Sequence, residues 1–186
     1  MKEVLFKYPD ACLDGYDNSF SVNKWLFQKQ NILSTLDVEF PAEHTKVNCS
    51  NVIQAGCKAY NINQRFVLMT LQREQQLVEL GGLPRKTVPD DNTMKRATGC
   101  GCFDDGTTVS KFSGFYNQIY CACSTYRFWF KSYHQDVVAE LVAPDVEKAV
   151  ICKSAVTYAL IKYTPHVGAL ELSEKIWSRY FEGNNG

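Results

Sequence analysis

Between Arg65 and Val78 the apolar positions recur with the period of an amphipathic helix, and one residue breaks the pattern: Glu74 falls on the apolar stripe. At about 100° per residue it projects within roughly 60° of Val67, Leu71 and Val78, whereas Arg65, Gln72, Arg73, Gln76 and Glu79 project the other way. A carboxylate on a core-facing stripe must be paired, hydrogen-bonded or protonated, because burying an unpaired charge is costly. Burial with no cation beside it raises the pKa of a carboxyl. An acid still protonated near neutral pH is what general-acid cleavage of a glycosidic bond requires. The structural alternative is a Glu held by a buried Arg or Lys, or one reaching water from the edge of the stripe.

The remaining pattern is helical almost throughout. After a loop-rich opening, residues 23–36 predict a short helix that Phe40-Pro41 excludes from continuing. Asn48-Cys49-Ser50 supplies a cap for a helix running to about Ala59, and Tyr60 to Asn63 turns the chain into the Glu74 helix. Gly81, Gly82 and Pro84 stop that helix. Residues 85–106, rich in Gly, Asp and Thr, form a loop of the kind that carries function. Phe115, Ile119, Ala122, Tyr126 and Phe130 mark a helix over 112–133. Further helices are predicted over 144–162 and 170–181. Six or seven helices with little strand alternation predict a mainly α fold.

At 186 residues, 45% of them hydrophobic, the chain is long enough for one domain with a real core, and no repeat or linker divides it. Twenty basic residues balance twenty acidic ones, so no global field steers it to nucleic acid. No run approaches the roughly 18 apolar residues of a membrane span, and the first residues lack the apolar region of a signal peptide. Aromatics make up 13% of the chain and lie close to polar residues in its second half, which suits both an aromatic core and sugar stacking. Of eight cysteines, four form the pairs Cys100/Cys102 and Cys121/Cys123. Structural zinc sites space paired thiolates more widely, so no metal is expected. Buried free thiols and disulfides both remain open.

Four segments together resemble the lysozyme-like superfamily, in particular lytic transglycosylases and goose-type lysozymes. Residues 56–64 leading into Leu71-Gln72-Arg73-Glu74-Gln75 are similar to the family helix whose Glu is the catalytic acid. Ala97-Thr98-Gly99-Cys100-Gly101 resembles the glycine-bearing turn opposite that acid. The other two segments are Gly114-Phe115-Tyr116-Asn117-Gln118 and residues 155–166, in which Tyr163 stands where the family's cleft Tyr bonds the acid. The order of segments matches from about Phe20 to Phe181. The chain departs from lytic transglycosylases in having Gln75 after the acid and Thr-Gly-Cys-Gly in place of Gly-Leu-Met-Gln.

The resemblance implies a single lysozyme-like catalytic domain over 1–186, with its core at about 20–181 and a substrate cleft. It implies cleavage of the β-1,4 bond between N-acetylmuramic acid and N-acetylglucosamine in peptidoglycan, by a lysozyme or a lytic transglycosylase. The catalytic residues would be Glu74 and Tyr163, without a cofactor. Thr98, Tyr116, Gln118 and Tyr158 are candidates for holding the sugars. Asp104 and Asp105, with Asp90 and Asp91 behind them, are candidates for a second carboxylate. The expected partner is the glycan strand, met by a monomer at the bacterial wall, as a phage endolysin, a virion-associated domain or part of a secreted bacterial protein. Two other classes stay open: a non-catalytic wall-binding module with the same groove, and a thiol or zinc module built on the Cys-x-Cys pairs.

Overall fold

The structure, a computed structural model, describes residues 2–82, 87–103, 107–135, 137–141 and 149–182. In chain order the elements are strand β1 (Lys2–Val4), helix α1 (Val22–Gln28), strands β2 (Asp37–Phe40) and β3 (Thr45–Asn48), and helices α2 (Cys49–Tyr60), α3 (Gln64–Gln75), α4 (Leu77–Leu80), α5 (Asp91–Lys95) and α6 (Phe115–Lys131). Strands β4 (Val138–Glu140) and β5 (Ala149–Cys152) and helices α7 (Ala155–Tyr163) and α8 (Val167–Phe181) complete it. The mainly α class expected from the sequence holds: eight helices and two small sheets are present among the described residues.

Local chemistry sets most helix ends. The Asn48 side chain accepts a hydrogen bond from Ser50 N at the start of α2, and Asn63 accepts from Arg65 N at the start of α3. Asn61, in the left-handed region at φ 53°, closes α2, and Gln76 at φ 55° closes α3. The helix expected over 23–36 ends early. Gln30 turns left-handed at φ 50°, and Asn31 starts a single tight turn at Ile32–Ser34. The buried Asn31 amide donates to the carbonyls of Leu77 and Val78, so a distant polar anchor overrides local helix continuation.

The chain divides into two compact units: Tyr16–Cys123, and a second formed by Met1–Gly15 with Ser124–Gly186. In the second, β5 lies between β1, to which it runs parallel, and antiparallel β4. The strand corrects part of the helix expected over 144–162, of which 144–148 lie outside the described residues. Ala149 to Cys152 alternates half-buried and buried, and besides nearby β4 it pairs with β1 from the opposite end of the chain. Pairing of that kind leaves no local signal. α7 begins after it, with Ser154 accepting from Thr157 N.

In the Tyr16–Cys123 unit, β2 and β3 form a hairpin, and α3 runs through the core. All positions from Phe66 to Gln72 are buried, Gln72 included, and the Gln72 side chain accepts from Glu79 N. The two-faced helix read from the sequence is therefore enclosed on both sides, which brings Arg73 inward as well.

Candidate active site

Glu74 stands in the last turn of α3 with 22% of its side chain exposed, next to Arg73, whose side chain is 3% exposed. Arg73 Nη2 and Nε lie 2.7 Å and 2.8 Å from Glu74 Oε1, and both donate to it. The expectation of an acid with no cation beside it is thereby corrected. The reason is the enclosure of α3: an arginine carried into the interior requires an anion, and the adjacent carboxylate supplies it.

The other carboxylate oxygen faces the turn at Gly99. A Cβ placed on Gly99 would lie 3.0 Å from Glu74 Oε2 and 3.4 Å from Cδ, and the residue has φ +72°. Glycine is required here twice, by a backbone conformation that L side chains avoid and by the close approach of the acid. The sequence resemblance drew attention to this turn, and the structure brings Gly99 and Glu74 into contact.

Gln118 holds the turn in place. Its Oε1 accepts from the backbone N–H groups of Thr98 and Cys100 at 3.1 Å and 3.2 Å, and from the Thr98 hydroxyl at 3.1 Å. Its Nε2 donates to the carbonyls of Cys100 and Phe112 at 2.7 Å and 2.8 Å. The Cys100–Cys121 disulfide ties the same turn to α6 a second time. Thr98 and Gln118 were expected to hydrogen-bond a sugar. Both are 0% exposed and bonded to each other, so they position the turn and cannot reach a ligand in this arrangement. That bridge joins one cysteine from each Cys-x-Cys pair, which withdraws both from the ligand set of a zinc module. Among the described residues, no group of three or more His, Cys, Asp or Glu is arranged to hold a metal ion.

Tyr116 is placed differently from the other candidates. It lines a groove of about 600 Å³ between the β2–β3 hairpin, α5 and the start of α6, with Glu39, Asp91, Lys95 and Asn117 among its polar walls. Glu74 is not among the residues lining it. Tyr116 also belongs to a row of half-buried rings: Phe40 to Tyr116 at 4.9 Å, Tyr116 to Tyr120 at 4.5 Å and Tyr120 to Tyr60 at 6.3 Å between centroids. Burial, followed by a hydrogen bond with Tyr116, pushes the Tyr120 hydroxyl up to about 12, so it stays a neutral donor at physiological pH.

Tyr158 and Tyr163 belong to the other unit. Tyr163 stacks on Tyr126 at 4.2 Å, and the buried Tyr158 meets the edge of Trp129 at 5.9 Å. Asp104 and Asp105 lie outside the described residues. Asp90 caps α5, accepting from Thr93 N at 2.7 Å, and that bond holds its carboxyl below the usual range. Asp91 lines the groove. Two partners escaped the sequence reading. Periodicity places Arg73 on the outer face, and although Asn117-Gln118 could equally cap or cross-link helices as hold a sugar, nothing in the spacing of Gln118 to Thr98 signals a contact across 20 residues.

No family model, curated protein or solved structure matches this chain.

Proposed function

We propose that the protein is a lysozyme-like glycosidase that cleaves the β-1,4 bond between N-acetylmuramic acid and N-acetylglucosamine in peptidoglycan, acting as a monomer at the bacterial wall with Glu74 as its proton carrier. One observation carries this reading: a partly exposed carboxylate set against a left-handed glycine turn that a buried amide and a disulfide hold rigid. Rigid placement of an acid opposite a turn is the arrangement proton transfer to a leaving oxygen needs. The row of half-buried rings and the groove at Tyr116 supply flat apolar faces beside polar groups, a combination suited to sugar rings.

In this reading Glu74 gives its proton to the bridging oxygen as the glycosidic bond breaks. With a second carboxylate roughly 6.5–9.5 Å away, that group takes the proton of an attacking water and the product inverts; without one, the sugar's own hydroxyl closes an anhydro ring and gives its proton to the Glu74 carboxylate. Arg73 has to release Oε1, or leave the protonated oxygen to Oε2, for the first step to occur.

The Arg73–Glu74 ion pair specifically favours a second reading, a wall-binding module of the same fold whose acid is committed to its arginine. Purified peptidoglycan separates the two. Clearing by the wild type but not by Glu74→Gln supports catalysis by Glu74, and mass spectrometry of the released muropeptides assigns hydrolysis or anhydro-product formation. Co-sedimentation with walls without clearing supports the binding module. Equal clearing by both proteins places the chemistry elsewhere, and neither clearing nor co-sedimentation removes both readings.

A further inference from the structure

In the Tyr16–Cys123 unit, helix α2 meets the first half of α6 at Gly56. A Cβ there would lie 2.8 Å from Ile119 Cγ2 and 3.7 Å from Cys123 Sγ. The next residue along α2 is Cys57, whose thiol interacts with that of Cys123. Both cysteines are 0% exposed. Two residues before Cys123 on the same helix, Cys121 is bridged to Cys100, while Cys57 and Cys123 are free thiols. The remaining buried thiols differ: the charged groups acting on Cys12, Cys49 and Cys152 are Asp10, Asp37 and Lys162.

We propose that Cys57 and Cys123 form a second disulfide, clamping α2 to α6 behind the turn that faces Glu74. The oxidant is a small-molecule disulfide such as oxidised glutathione. One cysteine thiolate attacks it, forming a mixed disulfide and expelling one thiol; the second thiolate then attacks the protein sulfur, forming the Cys57–Cys123 bond and expelling the other. Two protein protons and two electrons leave, and the oxidant is reduced to two thiols. Burial, reinforced by the neighbouring thiol, pushes Cys57 well above the usual thiol range, which suppresses the attacking thiolate once the helices have closed. Exchange therefore belongs to the folding chain, before α2 and α6 dock. The bridge concerns the α2–α6 seam alone and does not depend on what the Glu74 site acts upon.

The test uses the full chain, folded in a series of oxidised-to-reduced glutathione ratios, unfolded in guanidinium with N-ethylmaleimide, digested without reduction and read by mass spectrometry. Wherever the Cys100–Cys121 peptide pair is present, a Cys57–Cys123 pair is expected beside it, leaving four of the eight cysteines alkylated. Alkylation of both Cys57 and Cys123, or linkage of either to another cysteine, at ratios where Cys100–Cys121 is intact overturns the proposal. A second measurement compares reduction of the wild type with reduction of Cys57→Ala/Cys123→Ala. The long loop this bridge closes should make the wild type lose roughly 10 °C more of its Tm than the double variant does. Equal losses in the two proteins would overturn it as well.

Discussion

Replacing Gln118 by Met keeps the length and volume of the side chain and removes every hydrogen bond it makes. In the wild type its amide serves two backbone N–H groups, of Thr98 and Cys100, and two carbonyls, of Cys100 and Phe112, all around a fully buried side chain. The Thr98 hydroxyl retains the Gln118 backbone carbonyl as an acceptor at 3.0 Å, so it is not orphaned. Each buried group left without a partner costs about 1–3 kcal/mol. The four losses share one relaxing turn and do not add in full, so the expected destabilisation is about 3–5 kcal/mol. In a chain of this size that lowers Tm by roughly 10 °C. Urea unfolding gives the global value, and hydrogen exchange of the Thr98 and Cys100 amides gives the local one, with protection at both expected to collapse. A Met variant within about 1 kcal/mol of wild type, with both amides still protected, would show that the turn stands without Gln118.

Gly99→Ala combines strain of about 1–2 kcal/mol for a left-handed alanine with a Cβ only 3.0 Å from Glu74 Oε2. A modest loss of stability should accompany a tenfold or larger fall in wall clearing, about what a misplaced acid costs; destabilisation with full clearing would detach the turn from the acid's role. Asp17 gives a pH prediction: the Ser19 hydroxyl and then the Arg65 guanidinium hold its carboxyl down to about 2. Its folded value lies below the unfolded one of about 3.9, so its contribution is present above pH ~4 and is lost as pH falls through about 2. Asp17→Asn should be less stable than wild type at pH 7 by on the order of 1 kcal/mol or less, given the exposure of the pair. Stability curves that have not converged about one pH unit below that folded value would contradict this assignment.

Where a few neighbouring residues determine the outcome, the sequence alone was sufficient. The Asn48 cap predicts the start of α2, and the three- and four-residue spacing from Phe115 to Phe130 predicts α6. Gly81 and Gly82, expected to stop the Glu74 helix, instead follow the separate short helix α4, because Gln76 has already closed α3. Those features depend on hydrogen bonds and side-chain rows within a turn or two, and such interactions are written in adjacent letters. The sequence also singled out Glu74 and the turn containing Gly99, whose contact the structure displays. Tertiary structure decided what surrounds them. Periodicity sends Arg73 outward, but α3 is buried at every position from Phe66 to Gln72 and Arg73 turns to Glu74. β5 forms because residues 2–4 pair with it from the far end of the chain, and Gln118 becomes a clamp because the turn at Thr98 folds onto α6. A helix period says which residues share a face; which faces find a partner is settled only when distant segments pack and each buried polar group must be matched.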